Sequence, residues 1–506
     1  MNLEEAMSLV NDVERIIPVA RWRVHGVQLW PIIRSTLIWA AFDDSVGQGW
    51  ARGGVLRRIS RRAGAAFRST GCALSDLTRG PAFRSPTDAV IVTDGVATTR
   101  IGTSACDVLA DPLTELIADA GATSQTWYTT YACSARRRTE GILLQWRLDA
   151  AQLRIATIRG GQHAALSGYE EFLSMVRAAG LPERAVALGR LSLLAARVAV
   201  MAECFDRWLR ATTPRLVFVN NYYSLEGASL VLACMRRGII SIDVQHGAQG
   251  EYHAAYGGWV NVPSSGYELL PEHFWCWSEV EVRTIRSWAE GRTNRHSALV
   301  GGNLWMDMWL DERAPFVAAA NEAVRALLHP ERRTILVTLQ WGMTDQTFLM
   351  PLLALIAAAG KSWTWWLRLH PVMRSRRRQI KAMLSARGLQ DVLLDEPSDL
   401  ALPALLKHSD VHLTYSSGTV LEAAALGVPS VVTGPGSAAG FPDLVRDGLV
   451  LQLDSPKAEV VVPALAMMSL RKRTSHRGEL GQGLAAVNRL LADSRPLGAT
   501  SAEGSA

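Results

Sequence analysis

Cysteine is scarce in this 506-residue sequence, and no two cysteines form a C-x-x-C pair. The six that are present are scattered, which favours reduced, mostly buried thiols in a cytosolic protein over a disulfide framework. No uncharged apolar run approaches the ~20 residues that cross a bilayer, and the acidic, amphipathic N-terminus lacks the features of a secretory signal. No metal-ligand spacing of His, Cys, Asp or Glu is present. We therefore predict a cytoplasmic protein that needs no metal.

Net positive charge is confined to one stretch of the chain. Between Arg52 and Arg84 there are eight arginines and a single aspartate, so the rest of the chain is close to neutral although the whole carries +6. The basic folded face that nucleic-acid binding requires is therefore not indicated. The stretch is either a solvated linker or, through its interleaved apolar residues, a segment that contacts an anionic membrane from the cytoplasmic side.

The hydrophobic content of 48% describes a well-buried globular protein, and the length suggests two or three domains. Apolar runs such as 89–93 and 216–219 predict buried strands with helical segments between them, and 151–158 could be a further strand. This alternation resumes near Ser297. It predicts an α/β fold with two doubly wound, Rossmann-like domains in tandem. The predicted units are residues 1–87 (a helical N-terminal extension with the basic stretch), 88–296 (the first Rossmann-like domain), 297–455 (the second) and 456–506 (C-terminal helices and a frayed tail).

The most informative segment is SDVHLTYSSGTVLEAAALGVPSVVTGPG at 409–436. A buried strand, a loop of small hydroxyl residues, a helix that stops at Gly427 and a second strand form a β-loop-α-β unit. Hydroxyl donors, a glycine that admits a ligand to the backbone and free helical N–H groups suit a phosphate, and an acid one turn later suits a ribose. The residues concerned are Ser416, Ser417, Gly418, Thr419 and Glu422. The alternative is that they only cap the helix and supply its first-turn acid.

Two further loops at predicted strand ends carry histidines. Gln245-His246-Gly247 begins a glycine-rich loop that also contains His253. Histidine suits general-base work near neutral pH, so His246 is a candidate base, and the alternative is a hydrogen-bonded turn residue. His370, followed by a proline, ends another predicted strand, where its imidazole could donate to a diphosphate oxygen.

In their combined order, QHG at 245–247, HP at 370–371 and YSSGTVLEAAALGVPS at 415–430 resemble the GT-B glycosyltransferases. The similarity is greatest to bacterial surface-polysaccharide enzymes, which include capsular Kdo and sialic acid transferases and teichoic acid glycerophosphotransferases. LWPIIR at 29–34 is similar to the N-terminal segment of capsule-type members. The resemblance covers roughly residues 89–455 in architecture. Asp94-Gly95 is only a partial match to the acidic D/E-D/E-G motif of bacterial sialyltransferases, which argues against a CMP-sialic acid donor.

The resemblance implies a metal-independent transferase that moves a sugar from a nucleotide-activated donor to a surface-polysaccharide or lipid-linked glycan acceptor. The nucleotide sugar would be a co-substrate, and no cofactor is implied. The first domain would hold the acceptor and the second the donor. His246 would be the catalytic base, although Glu251, His253 or Asp94 could do this work instead. The implied donor-side residues are His370, Ser416, Ser417, Gly418, Thr419, Glu422, Gly302, Gln340 and Gly342, and the acceptor-side residues are Gln245, Gly247 and His253.

Three alternatives stay open at this stage. A CDP-polyol phosphotransferase is one close alternative to a sugar transferase. A nucleotide-sugar 2-epimerase shares the GT-B architecture and a Ser-Gly…Glu-Ala…Gly-x-Pro stretch, but the long basic N-terminal extension favours a transferase. A non-catalytic GT-B scaffold belongs to another class, and the presence of both His246 and His370 argues against it.

Overall fold

A computed structural model describes most of the chain, namely residues 3–42, 85–95, 98–101, 104–130, 141–153, 166–310, 312–340, 345–471 and 481–494. The basic stretch from Arg52 to Arg84 lies outside these residues, and so does Gly342. Both therefore remain sequence-based predictions.

The strands are mostly short apolar runs, such as AVIVT and LVFV, that are buried on both faces as in parallel sheets. In the described ranges they are β1 Arg23–Val24, β2 Val27–Gln28, β3 Ala89–Thr93, β4 Thr98–Ile101, β5 Ser104–Asp107, β6 Ser124–Tyr128, β7 Gly141–Leu143, β8 Leu216–Val219, β9 Ile240–Val244, β10 His273–Cys276, β11 Ser297–Val300, β12 Arg333–Thr338, β13 Trp363–Arg368, β14 Val411–Thr414, β15 Ser430–Thr433 and β16 Val450–Leu453.

The helices fall between the strands and cover the two faces of the sheets. In the same ranges they are α1 Leu3–Ile16, α2 Trp30–Phe42, α3 Ala110–Asp119, α4 Gln145–Leu153, α5 Tyr169–Ala178, α6 Leu188–Thr212, α7 Leu225–Arg237, α8 Glu279–Ala289, α9 Leu304–Asp307, α10 Pro315–Arg325, α11 Met350–Ala358, α12 Arg377–Ser385, α13 Asp395–Asp399, α14 Leu402–Lys407, α15 Thr419–Ala425, α16 Pro442–Arg446, α17 Ala458–Ser469 and α18 Gly483–Asp493.

The first large sheet has the spatial order β11-β10-β9-β8-β3-β6-β7 within the described residues, and its neighbouring strands are parallel. From β3 the chain adds β6 and β7 on one side and then returns to the other side of β3 to form β8. The strand order therefore reverses between β3 and β8. In doubly wound sheets this reversal leaves a crevice at the carboxyl ends of the strands.

The second large sheet has the order β13-β12-β14-β15-β16, again parallel throughout. Its core is a separate apolar cluster that includes Val337, Leu367 and Leu413. Two parallel sheets, each with its own core, confirm the predicted α/β fold with two doubly wound domains.

Helices α1 and α2 are an integral part of the first domain. Val13 of α1 and Trp30 of α2 belong to the same buried cluster as Val92 of β3. The described part of the predicted 1–87 extension therefore packs as a layer of the first domain. Its apolar residues are buried in the core that they share with the first sheet.

Both ends of the second domain cross the predicted boundaries. β11 pairs with β10, so residues 297–300 belong to the first sheet and not to the second domain. Helix α18 returns to the first domain, where Val487 and Leu490 share a core with Ile91 of β3. Helix α17 instead packs on β14, β15 and β16. The described C-terminal helices are thus divided between the two domains.

Residues 145–153 form helix α4, which corrects the strand expected over 151–158; residues 154–165 are outside the described ranges. Leu144, Leu148 and Ala151 are buried at spacings of four and three residues. That is the helical period, and it places these side chains against α6.

Length and composition alone would let Glu183–Thr212 cross a membrane, and half of its most apolar window is buried inside the protein. Val198, Met201 and Phe205 of α6 lie in the core of the first domain. The same helix packs along α7. This burial accounts for the apolar character of α6 as a core helix.

The four described cysteines, Cys106, Cys204, Cys234 and Cys276, are buried, as predicted. Burial raises the pKa of the Cys234 and Cys276 thiols. A raised pKa disfavours the reactive thiolate, so these two cysteines are packing residues.

Candidate functional site

The carboxyl ends of the two sheets face each other across a cleft. A Cβ added to Gly418, in the loop after β14, would lie 3.3 Å from the Cα of Gly247, in the loop after β9. Arg283 of α8 and Asp443 of α16 approach to 3.9 Å across the same gap. The loops that carry the predicted site residues therefore meet at the domain interface, where open α/β sheets bind ligands.

Gln340, just after β12, fixes the loop that follows β14. Its Nε2 donates to the carbonyl and hydroxyl oxygens of Ser416 at 3.3 Å, and its Oε1 accepts from the Ser416 amide at 3.0 Å. Parallel pairing of β12 with β14 places the two residues side by side. The structure thus brings together two of the predicted donor-side residues.

Ser417 acts within its own loop. Its hydroxyl donates to the Thr419 hydroxyl at 3.1 Å and accepts from the Thr419 amide at 3.3 Å. The N-cap residue of α15 is Gly418 and no side chain caps the helix there, so the contacts of Ser417 are not the cap that the alternative interpretation expects. A phosphate contact from Ser417, Gly418 or Thr419 stays a prediction.

His370 lies just beyond β13 and is held in one tautomer. Its Nδ1 accepts from the Val372 amide at 3.3 Å, so the N–H of the neutral ring is on Nε2. Burial lowers the pKa of His370, and the nearby charge of Arg368 lowers it further. At pH 7 the ring is therefore neutral and offers one N–H donor.

Glu422 and Arg368 influence each other electrostatically near the loop after β14. Burial raises the pKa of Glu422 to about 7, and the charge of Arg368 acts in the opposite direction. Arg368 is held by two hydrogen bonds of 2.6 Å from Nη1 to the carbonyls of Pro397 and Leu400. Arg368 was not predicted from the sequence. Its position next to the end of a predicted strand could have indicated that it lies near the site.

Gln245 is buried, and its amide group is used within the first domain. Its Oε1 accepts from the Trp277 amide at 2.6 Å, and its Nε2 donates to the Gly247 carbonyl at 2.8 Å. Gln245 therefore ties the end of β9 to the end of β10 and shapes the turn that carries His246. The acceptor-side roles of Gln245 and Gly247 stay predictions.

His246 is exposed on this turn and contacts Tyr223. Its Nε2 lies 3.3 Å from the Tyr223 hydroxyl, and the two rings are stacked. The protein packed around the imidazole lowers the pKa of His246, while the charge of Asp94 and the carbonyl of Val244 raise it. The neutral form, which can accept a proton, therefore prevails at pH 7. Tyr223 was not predicted, although the polar run NNYYS after β8 was a signal for it.

His253 lies behind His246 in the same loop. Its ring is 4.8 Å from that of Tyr256 and 5.6 Å from that of Tyr223, measured between centroids. Burial lowers the pKa of His253 to about 3, and the charges of His246 and Arg34 add to this effect. His253 is thus a neutral, packed ring, and its acceptor-side role stays a prediction.

Gly302 follows β11 by two residues and is buried at the edge of the first sheet. Its carbonyl accepts from the Trp275 indole N–H at 3.0 Å, and its φ is 77°. A Cβ on the preceding Gly301 would lie 1.8 Å from a ring carbon of Trp275. Packing against Trp275 explains both glycines, and the donor-side role of Gly302 stays a prediction.

No protein-family model matches this chain, and no curated protein matches it in sequence. Among solved structures, it is similar to the UDP-GlcNAc 2-epimerase of Methanocaldococcus jannaschii in complex with UDP-GlcNAc and UDP. The TM-score is 0.50 at 16% identity, over 80% of this chain and 99% of that chain. This similarity shows the fold: the two domains have the GT-B architecture.

Two further structures match with lower TM-scores. The UDP-GlcNAc 2-epimerase of Neisseria meningitidis bound to UDP-GlcNAc gives 0.46 at 14% identity, over 80% of this chain and 99% of that chain. The wall teichoic acid polymerase TagF gives 0.46 at 11% identity, over 84% of this chain and 97% of that chain.

Proposed function

We propose that this chain is a GT-B enzyme that transfers a sugar from a nucleotide-activated donor to a surface-polysaccharide or lipid-linked glycan acceptor. One observation carries the proposal. The hydroxyl-rich loop at the carboxyl edge of the second sheet meets the turn that carries His246, a neutral histidine of the first sheet, and neutral His370 follows another strand at the same edge of the second sheet. Sugar transfer needs a donor to the leaving phosphate and an acceptor for the proton of the attacking hydroxyl.

In the proposed step, these side chains account for both the leaving group and the transferred proton. The bond between the anomeric carbon and the phosphate oxygen breaks, and its electron pair stays on the phosphate. There the Nε2–H of His370 and the hydroxyls of Ser416 and Ser417 stabilise the charge. The acceptor oxygen bonds to the anomeric carbon and gives its proton to Nε2 of His246. Glu422 would accept a hydrogen bond from the ribose.

Nucleotide binding tests the donor site directly. Calorimetry with CMP, CDP, UDP, GDP and ADP should show micromolar binding of one of them to the wild-type chain. The variant His370→Ala should bind that nucleotide more weakly by about 1–3 kcal/mol, because a hydrogen bond to a charged group is lost. The matched control is His329→Ala, since exposed His329 likewise accepts a backbone amide, that of Glu331, on Nδ1.

The identity of the bound nucleotide separates the candidate reactions. Preference for CMP or CDP would favour the Kdo-like or polyol-phosphate branch. If UDP is preferred, incubation with UDP-GlcNAc and no acceptor tells a 2-epimerase, which changes the sugar, from a transferase, which leaves it unchanged. Absence of binding by all five nucleotides, with acceptor extract present, would overturn the proposal in favour of a non-catalytic scaffold.

The membrane part of the proposal rests on the sequence alone. We place the protein in the cytoplasm, with the stretch from Arg52 to Arg84 on the anionic inner face of the membrane, beside a lipid-linked acceptor. Vesicles that contain anionic lipid should retain the full chain and release it as salt is raised. Equal retention of a chain that lacks residues 52–84 would refute this placement.

A further inference from the structure

A cavity of about 180 Å³ opens at the carboxyl edge of the first sheet. It lies where the strand order reverses between β3 and β8, the position at which doubly wound sheets bind ligands. Much of its accessible wall is apolar, and Val92 and Val219 contribute to it. The polar lining includes Asp94, Thr129, Thr130, Asn220, Asn221 and Glu226.

The lining is held in place by hydrogen bonds between the loops. The Asp94 amide donates to Oδ1 of Asn220, and Nδ2 of Asn220 donates to Oδ1 of Asp94, both at 3.3 Å. The Thr130 hydroxyl donates to the Asp94 carbonyl at 2.6 Å. The loops after β3, β6 and β8 are therefore tied together around the cavity before any ligand enters.

Asn221 also lines the cavity. Its Oδ1 is buried and has no hydrogen-bond partner. Its backbone has a φ of 63°, and Gly227 packs so closely that a Cβ there would lie 2.4 Å from the Asn221 carbonyl oxygen. This packing fixes the loop after β8 that lines the cavity.

The charge of the cavity selects the kind of ligand. Asp94 and Glu226 both line it. Burial raises the pKa of Glu226; the charge of Arg197 opposes this shift, and the charges of Asp149 and Asp94 add to it. A phosphate or carboxylate placed beside them would be repelled. Hydroxyl groups suit this lining, because carboxylate and amide oxygens accept from them and amide N–H groups donate to them.

We propose that this cavity binds the neutral, polyhydroxylated end of the acceptor, as one sugar or polyol unit, and rejects an acidic one. The volume is below the roughly 300–1,000 Å³ of sites for drug-sized ligands, which favours a single unit over an oligosaccharide. The inference rests on the proposed sugar transfer. It also places the acceptor near the proposed base, because the loop after β8 that lines the cavity continues to Tyr223, whose hydroxyl lies 3.3 Å from Nε2 of His246.

Saturation-transfer NMR on the full chain tests the cavity with defined probes. Methyl glucoside, methyl galactoside, methyl mannoside and glycerol represent neutral ligands, and methyl glucuronide and glycerol phosphate represent anionic ones. At least one neutral probe should bind, and the anionic ones should not. Asp94→Asn and Glu226→Gln should each weaken the neutral probe at least fivefold. The control Glu171→Gln changes an exposed acid of the same domain and should leave binding unchanged.

Glu226→Gln also allows a second measurement, the affinity for methyl glucuronide, which would not change if Glu226 had a purely structural role. It removes one negative charge without changing shape, so methyl glucuronide should gain affinity. Preference of the wild type for anionic probes, no binding of any neutral probe, or full binding by both cavity variants would overturn the inference. Thermal unfolding and nucleotide calorimetry on the same samples show whether each variant is folded. If a variant loses glycoside binding but keeps nucleotide binding, the defect lies in the cavity and not in the donor site.

Discussion

Glu14 and Arg34 form an ion pair in which neither side chain is exposed, with Arg34 Nε 3.1 Å from Glu14 Oε1. The pair also holds the loop that follows His253. Arg34 donates to the carbonyls of Ala254 and Gly257, and Glu14 Oε2 accepts from the Val260 amide at 2.8 Å. The two N-terminal helices therefore fix the loop that forms the first-domain side of the cleft.

Breaking this pair from one side should destabilise the protein strongly. Glu14→Gln keeps the shape of the side chain but leaves the charge of Arg34 buried and unpaired. We expect the free energy of unfolding to fall by about 3–5 kcal/mol, measured by chemical denaturation. The loss arises mainly from the uncompensated charge, so it should not depend on added salt.

The matched control lies on the same helix. Asp12 pairs with Arg15 on the surface, where both side chains are about half exposed. Asp12→Asn should therefore cost less than about 1 kcal/mol. Equal losses for Asp12→Asn and Glu14→Gln would mean that the buried pair does not hold the loop.

Local patterns were enough to predict much of the fold. The buried strands of both sheets and the loops at their ends were visible because apolar runs and turn residues are features of neighbouring positions. Long-range pairing was not visible: the contact of Glu14 with Arg34 and the return of α18 to the first sheet depend on packing. In the candidate site, the position of His370 at a strand end was likewise predictable from neighbouring residues. Tyr223 reaches His246 only because β8 and β9 are adjacent.

Two glycine-to-alanine changes should shift stability in opposite directions. Gly301→Ala places a Cβ 1.8 Å from the ring of Trp275, whose indole N–H is bonded to Gly302. Overpacking of this kind should cost about 1–3 kcal/mol. Gly189→Ala lies in the first turn of α6 with nothing within 4 Å, so it should stabilise by about 0.4–1 kcal/mol. Thermal and chemical unfolding of both variants would check the pair, and a stable Gly301→Ala would contradict the geometry.

His412 should make stability depend on pH. It lies unexposed in β14, 2.8 Å from the Thr338 hydroxyl and 3.0 Å from the Ser430 hydroxyl, and burial lowers its pKa to about 3. Between about pH 6.5 and 3 the unfolded chain binds a proton at this residue and the folded chain does not. Stability is therefore lost as the pH falls, by about 1.4 kcal/mol per pH unit.

The measurement compares wild type with His412→Gln at pH 6.5 and pH 5. The variant should lose about 2 kcal/mol less than wild type between these values, because it has no imidazole to protonate. The comparison with the variant is needed because other groups change the stability with pH in the opposite direction. Asp243, whose pKa burial raises to about 7, contributes stability that is lost as the pH rises. The control His329→Gln changes an exposed histidine and should keep the wild-type slope; an unchanged slope in His412→Gln would refute the prediction.

The pKa of His246 should respond to Asp94, because the negative charge of Asp94 stabilises the protonated imidazole. Asp94→Asn removes that charge, so the pKa of His246 should fall further below its ordinary value of about 6.5. NMR titration of the imidazole resonances, with His246→Gln to assign them, measures this shift without any substrate. Asp88→Asn is the control, since Asp88 lies just before the opposite end of the same strand, where it pairs with Arg215. A pKa of His246 that moves equally in both variants would show that Asp94 does not act at the cleft.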